Sequence, residues 1–241
     1  MQFVFALFAA AAVVWFLEVA WFPTIRAAIR QLPAEGKISG QKLAWSGDTP
    51  MRLAENRYLA LAVDLRHEGG ARSAAHVQVE FGLSDIEIRS LLGYVPWSYA
   101  PTWNVPFNRE ELEPWWGAWA PEILAIVAGG AIVGLMLIWA ALATLYWLPA
   151  WLLGFFTNRD LDSGGSLRLA GAGLMPGALF FSAAIVLYGL GGLDPVQLML
   201  AACAHLVIGW IFIFLGVLAL PRHPEASHTR KNPFQPSPQI K

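Results

Sequence analysis

Three long runs, Ile123 to Leu148, Leu169 to Leu193 and Val196 to Leu220, hold no charged residue and show no alternation of apolar with polar positions. Each is longer than the roughly 20 residues that a helix needs to cross a bilayer core. Barrel strands would alternate with a period of two, and a soluble bundle would need polar outer faces. Transmembrane helices fit, because their backbone groups are satisfied within the segment. Met1 to Phe22 is a fourth apolar run, broken only by Gln2 and Glu18. No Lys or Arg precedes Arg26, and the small residues Ala9 to Ala12 sit mid-segment, so an uncleaved signal anchor is expected rather than a removable leader.

The pattern changes after Pro23. Ile25, Ala28, Ile29 and Leu32 fall at helical spacing opposite Arg26, Arg30 and Gln31, which predicts a short amphipathic helix ended by Pro33 and Gly36. Lys37 to Trp45 alternates loosely, Tyr58 to Leu65 reads as a buried strand, and His76 to Leu83 alternates cleanly. There Val77, Val79 and Phe81 lie on one face and Gln78 and Glu80 on the other. Ile86 and Ile88 continue the pattern as antiparallel strand signals, and Glu68 to Ala75, with Gly69-Gly70, reads as a hairpin loop. Tyr94 to Trp119 is a neck rich in proline and tryptophan, and tryptophan suits a water–lipid interface. Within it Asn108 to Glu111 resembles a capping box, predicting a helical turn stopped by Pro114. The segment 150–156, after Pro149, is expected along the interface.

The fold class predicted is therefore a membrane α-helical bundle of four transmembrane helices with a small extracytoplasmic α+β domain. Its parts are a signal anchor at 1–22, the α+β domain with its neck at 23–119, a three-helix membrane region at 120–221 (spans near 122–148, 169–190 and 196–220), and a disordered cytoplasmic tail at 222–241. Pro176 is expected to kink the third span. Gly130 and Gly134, and Gly173 and Gly177, are spaced for close helix contact.

Composition agrees. The chain is 56% hydrophobic and 14% charged, against about 25% charged for soluble domains. A net charge of −1 argues against nucleic acid as a partner. Cys203 is alone, so no intrachain disulfide forms. Arg159 and Arg168 in the 158–168 loop and the basic tail place both termini in the cytoplasm and residues 23–119 outside, as a multi-pass protein of the cell membrane. Arg26 and Arg30, just beyond the first helix, weigh the other way.

Candidate chemistry is sparse. Glu18 near one end of the first helix and His205 deep in the fourth are ionisable groups in apolar surroundings, where proton or ion handling is the usual functional reading. His67 and His76, with Glu68, flank one loop and are a weak zinc candidate. Asp162 to Ser166 resembles part of a trypsin-type nucleophile signature, but Leu161 stands where its leading glycine belongs, and a loop in which Ser166 caps the next helix is expected. There is no P-loop, dinucleotide fingerprint or HExxH pattern, so neither catalytic residues nor a cofactor are expected.

Two stretches resemble known proteins. One is Ile29-Arg30-Gln31-Leu32-Pro33 running into Ile38 to Leu43 and Ala60 to Asp64. The other is Gly164 to Arg168 leading to Leu174-Met175-Pro176. Together they resemble a bacterial family of uncharacterised membrane proteins, some labelled maltodextrin-utilisation accessory proteins, with a bundle similar to the Yip family, whose eukaryotic members interact with Rab GTPases. The resemblance implies one helix, an outside domain and a membrane bundle, with no catalytic residues; Yip-type bundles usually have five C-terminal helices where this chain has three. The expected function is that of a non-enzymatic accessory or scaffold protein with a membrane-protein partner or a second copy of itself. The alternatives are a transport component using Glu18 and His205, or a sensor of signals outside the membrane.

Overall fold

The computed structural model describes residues 2–222; the residues after Arg222, where the basic tail falls, lie outside the described part. Helices and sheets combine in an α+β chain. Four helical stretches, Gln2–Arg30, Arg109–Phe156, Ser163–Gly189 and Pro195–Ala219, are long and apolar enough to cross a membrane. The chain divides into two compact units. One comprises Phe8–Ala131 with Ala183–Met199, and the other the remaining described residues.

The first unit carries the sheets. Helix α1 (Gln2–Phe16) passes through a π-helical turn, Leu17–Trp21, into α2 (Phe22–Arg30). The turn lies just before Pro23, which lacks the N–H that a regular helix would use there. Phe22 N–H instead bonds the Leu17 carbonyl, five residues back. The N-terminal apolar run and the amphipathic helix are thus one interrupted rod rather than two separate helices.

Strands β1 (Gly36–Ser39), β2 (Lys42–Trp45) and β8 (Asn104–Pro106) form an antiparallel sheet in the order β2-β1-β8. Strands β3 (Met51–Glu55), β4 (Leu59–Val63), β5 (Val77–Phe81), β6 (Asp85–Ser90) and β7 (Gly93–Ser98) form a second sheet in sequence order. Leu53, Val63, Phe81 and Ile86 on one face of that sheet pack with Ala28 of α2, with Leu32 just beyond it, and with Ile38 and Leu43 of the small sheet.

One expectation fails here, and a second feature is one that the pattern left open. Strands β4 and β5 are parallel, with Leu59 opposite Val77 and Val63 opposite Phe81, so residues 64–76 are a crossover and not a hairpin loop. The second concerns the polar stripe of β5. Gln78 and Glu80 are buried, at 4% and 0% exposure, while Val77, Val79 and Phe81 are half-buried. The crossover covers the polar face of the strand, which alternation alone leaves to solvent.

Helix α3 (Arg109–Phe156) starts at the expected capping box: Glu111 N–H donates to Asn108 Oδ1 at 3.0 Å, and Asn108 Nδ2 donates to Glu111 Oε1 at 3.3 Å. It does not stop at Pro114, nor does it end at Pro149. Each proline removes one helix bond, but burial holds the flanking turns. Trp116 and Ala120 pack on Ile29, with the Trp116 and Phe22 rings 4.9 Å apart.

The second unit shows the same device at Pro149, where Tyr146 and Ala150 are buried against Ala170 and Val217. Its next helix begins earlier than expected. Helix α4 (Ser163–Gly173) is capped by Asp162, whose carboxylate accepts from Gly165 N–H at 2.7 Å. Ser166 is therefore not the cap; it is fully buried and its hydroxyl donates to the Asp162 carbonyl at 2.8 Å. A break at Leu174 separates α4 from α5 (Met175–Gly189), with Pro176 in the first turn of α5. Helix α6 (Pro195–Ala219) lies against this break: a Cβ at Gly173 would strike Ile213, and one at Gly177 would strike the His205 carbonyl.

Candidate functional site

The polar residues converge on the covered face of the larger sheet. Register places Glu80 of β5 directly opposite Glu87 of β6. Two carboxylates facing each other across strands repel, and this pair needs cations. His67, from the crossover, and Arg89, from β6, supply them. His67 Nδ1 bonds Glu80 Oε1 at 2.6 Å, and its Nε2 bonds Asp85 Oδ1 at 3.2 Å. Arg89 reaches Glu80 Oε1 at 3.4 Å and pairs closely with Glu87. Gln78 Nε2 donates to the second Glu80 oxygen at 3.0 Å.

Local backbone sets His67 in place. Its φ of 54° is left-handed, a conformation that few non-glycine residues adopt. Asp64, buried beneath, accepts from Gly69 N–H at 3.0 Å and from Arg66 N–H at 3.3 Å, which closes the turn. Gly82 leaves room for the ring, since a Cβ there would collide with His67 Nε2. Burial by itself would lower the His67 pKa, but the hydrogen bonds to Glu80 and Asp85 outweigh it and raise the value above 6.5. A carboxylate on each ring nitrogen favours the protonated imidazole. Burial pushes Asp64 up, and the backbone N–H groups pointing at it more than reverse this, so it ends below the usual carboxylate range.

His67, Asp85 and Glu87 bring potential ligand atoms within 4.8 Å of one another. Three carboxylates, Glu80, Asp85 and Glu87, already share the His67 ring and the Arg89 guanidinium, so a divalent ion would have to displace these internal partners. The arrangement works as a polar buttress for the crossover.

His76 lies elsewhere and does not converge with His67. Its Nδ1 and the Tyr188 hydroxyl share a 2.7 Å hydrogen bond. Burial, followed by the nearby Arg57 charge, lowers the His76 pKa. Around it the sheet is tied to helix ends. The Tyr58 hydroxyl donates to the Tyr188 and Gly189 carbonyls at 2.9 and 2.8 Å. Arg57 donates to the Gly191 and Leu193 carbonyls at 2.7 and 3.2 Å, and the Asn56 amide bonds the Ala20 carbonyl in the π turn. The last carbonyls of a helix lack partners within it, and these side chains provide them for α5.

Glu18 is exposed on the wall of a groove of about 640 Å³ whose other polar residues are Arg26 and Arg30. Arg30 pairs with Glu113 at 3.2 Å. His205 is half-buried in the second unit, its ring stacked on Phe181 at 5.2 Å and its Nδ1 bonded to the Ala202 carbonyl one turn back. Glu18 and His205 belong to different compact units. Sequence reasoning missed Arg57, Tyr58, Glu80, Asp85 and Arg89. The one signal available was Glu80 and Glu87 in adjacent strands, which demands compensation once the register is known.

No family model, curated protein or solved structure matches this chain.

Proposed function

We propose that the protein is a non-enzymatic, multi-pass membrane protein of accessory or scaffold type, which holds its sheet domain as a platform at one end of its helices. The observation that carries this reading is the set of ties from Asn56, Arg57 and Tyr58 to backbone in the π turn and at the end of α5, with His76 bonded to the Tyr188 hydroxyl. A domain fastened at four points presents a surface in a set orientation, as a scaffold requires. Helix α3 supports the membrane reading: only 6% of its most apolar stretch is buried within the chain, leaving an apolar surface suited to lipid. The two arginines of the 158–168 segment, Arg159 and Arg168, support cytoplasmic termini and an outside sheet domain. The partner is another membrane protein or a second copy of the chain.

Extraction of membranes at alkaline pH should leave the protein in the pellet, and release into the supernatant would refute membrane residence. Mild-detergent purification of the full chain should give a complex heavier than one chain; a lone chain would refute the accessory reading. A cysteine at Ser73, in a Cys203→Ser background, should label from outside intact cells.

A further inference from the structure

The hairpin joining β6 and β7 has an unusual apex. Ser90 pairs with Gly93, so Leu91 and Leu92 form its two-residue tip. Two-residue turns favour Asn, Asp and Gly, and the β1–β2 hairpin follows this at Gly40, with Gly40 and polar Gln41 both at positive φ. The β6–β7 apex instead presents leucines that are 60% and 79% exposed. Behind them Tyr94, Val95 and Trp97 are each at least 60% exposed. From Ser90 to Asn108 the chain carries no charge.

Strand register shows which way the tip points. Leu59, Val77, Ser90 and Gly93 lie at one level across β4 to β7. One residue beyond that level, Tyr58 and His76 bond α5 at Tyr188 and Gly189. At about 3.3 Å per residue, Leu91 and Leu92 extend to the same height, beyond the same end of the sheet. The Gly40-Gln41 apex lies toward the opposite end, since Leu43 N–H bonds the Leu83 carbonyl in the β5–β6 turn. Pairing of the β7 edge with a further strand is disfavoured by Pro96, which lacks a donor.

We propose that the Leu91-Leu92 hairpin dips into the lipid interface beside the helices, a non-helical membrane contact that seats the sheet domain on the bilayer. Leucine at the tip suits the acyl boundary, and Tyr94 and Trp97 suit the headgroup level. Burial to about 5–10 Å is the depth that interfacial apolar faces reach. The inference rests on the multi-pass reading above, and the test separates the two.

Single cysteines at Leu92, Gln41 and Val133, each in a Cys203→Ser background of the full chain, would carry an environment-sensitive fluorophore in phosphatidylcholine nanodiscs. Val133 is 59% exposed on α3 and reports lipid if the helices span. Doxyl-labelled phosphatidylcholine should quench the Leu92 and Val133 labels several-fold more than the Gln41 label. Quenching at Val133 with a Leu92 label as wet as Gln41 would overturn the hairpin proposal alone. A Leu92 label that is dry yet unquenched would overturn it in favour of a protein surface. If no position is quenched, the membrane reading fails and takes the proposal with it.

Discussion

His67 and His76 flank the same crossover, yet the two ends of that loop do opposite work. At His67 the ring bonds Glu80 of the opposed pair, and Asp85, inside the domain, which favours its protonated form. At His76 burial favours the uncharged ring, which ties the domain to a helix end. Proximity in sequence made them look like one ligand pair. A parallel connection separates them, because its two ends lie at opposite ends of the sheet. A histidine's role here follows from the strand register rather than from its neighbours in the chain.

The sharpest way to break the contrast is to remove the acid that both cations of the buttress share. Glu80→Leu should destabilise the sheet domain by about 3–5 kcal/mol, the range for stripping one partner from a buried charge network. Hydrogen exchange should rise across β5 and β6 while the α5 end stays protected. His67→Asn tolerates the left-handed backbone and tests the side chain alone; a loss of about 1.5–3 kcal/mol is expected for hydrogen bonds to charged groups. Tyr188→Phe keeps the ring packing and loses the bond to His76, which should cost about 1 kcal/mol, with exchange rising near Tyr58 and His76 and not near Glu80.

The smallest effect is the pH dependence, and the two histidines contribute with opposite sign. A raised folded pKa, as at His67, gives stability that is full below 6.5 and is lost as pH climbs through the folded value. A lowered one, as at His76, gives stability that is present above 6.5 and is lost as pH falls through the folded value. Thermal melts of the purified protein should lose their alkaline slope in His67→Asn and their acid slope in His76→Gln. Equal slopes in both variants would refute the assignment.

The two glycine pairs show how far a motif can be read. Gly130 and Gly134 have nothing within 4 Å of where a Cβ would stand, while Gly173 and Gly177 are closed by α6. The spacing is the same in both, and only one pair has a neighbour among the described residues. The prolines show the converse limit. A missing N–H is a local fact, but whether a helix ends there depends on what the next turn buries, and Trp116 and Ala150 carry α3 past Pro114 and Pro149.

Local chemistry was enough for the four apolar helices, the cap at Asn108 and most of the strands, because run length, alternation and side-chain reach act over a few residues. The direction of β4 against β5, the burial of Glu80, the partners of His67 and His76 and the height of the Leu91-Leu92 tip came only from the tertiary structure. Each depends on which distant backbone lies alongside, and alternation within a strand states that two faces differ without stating what covers either.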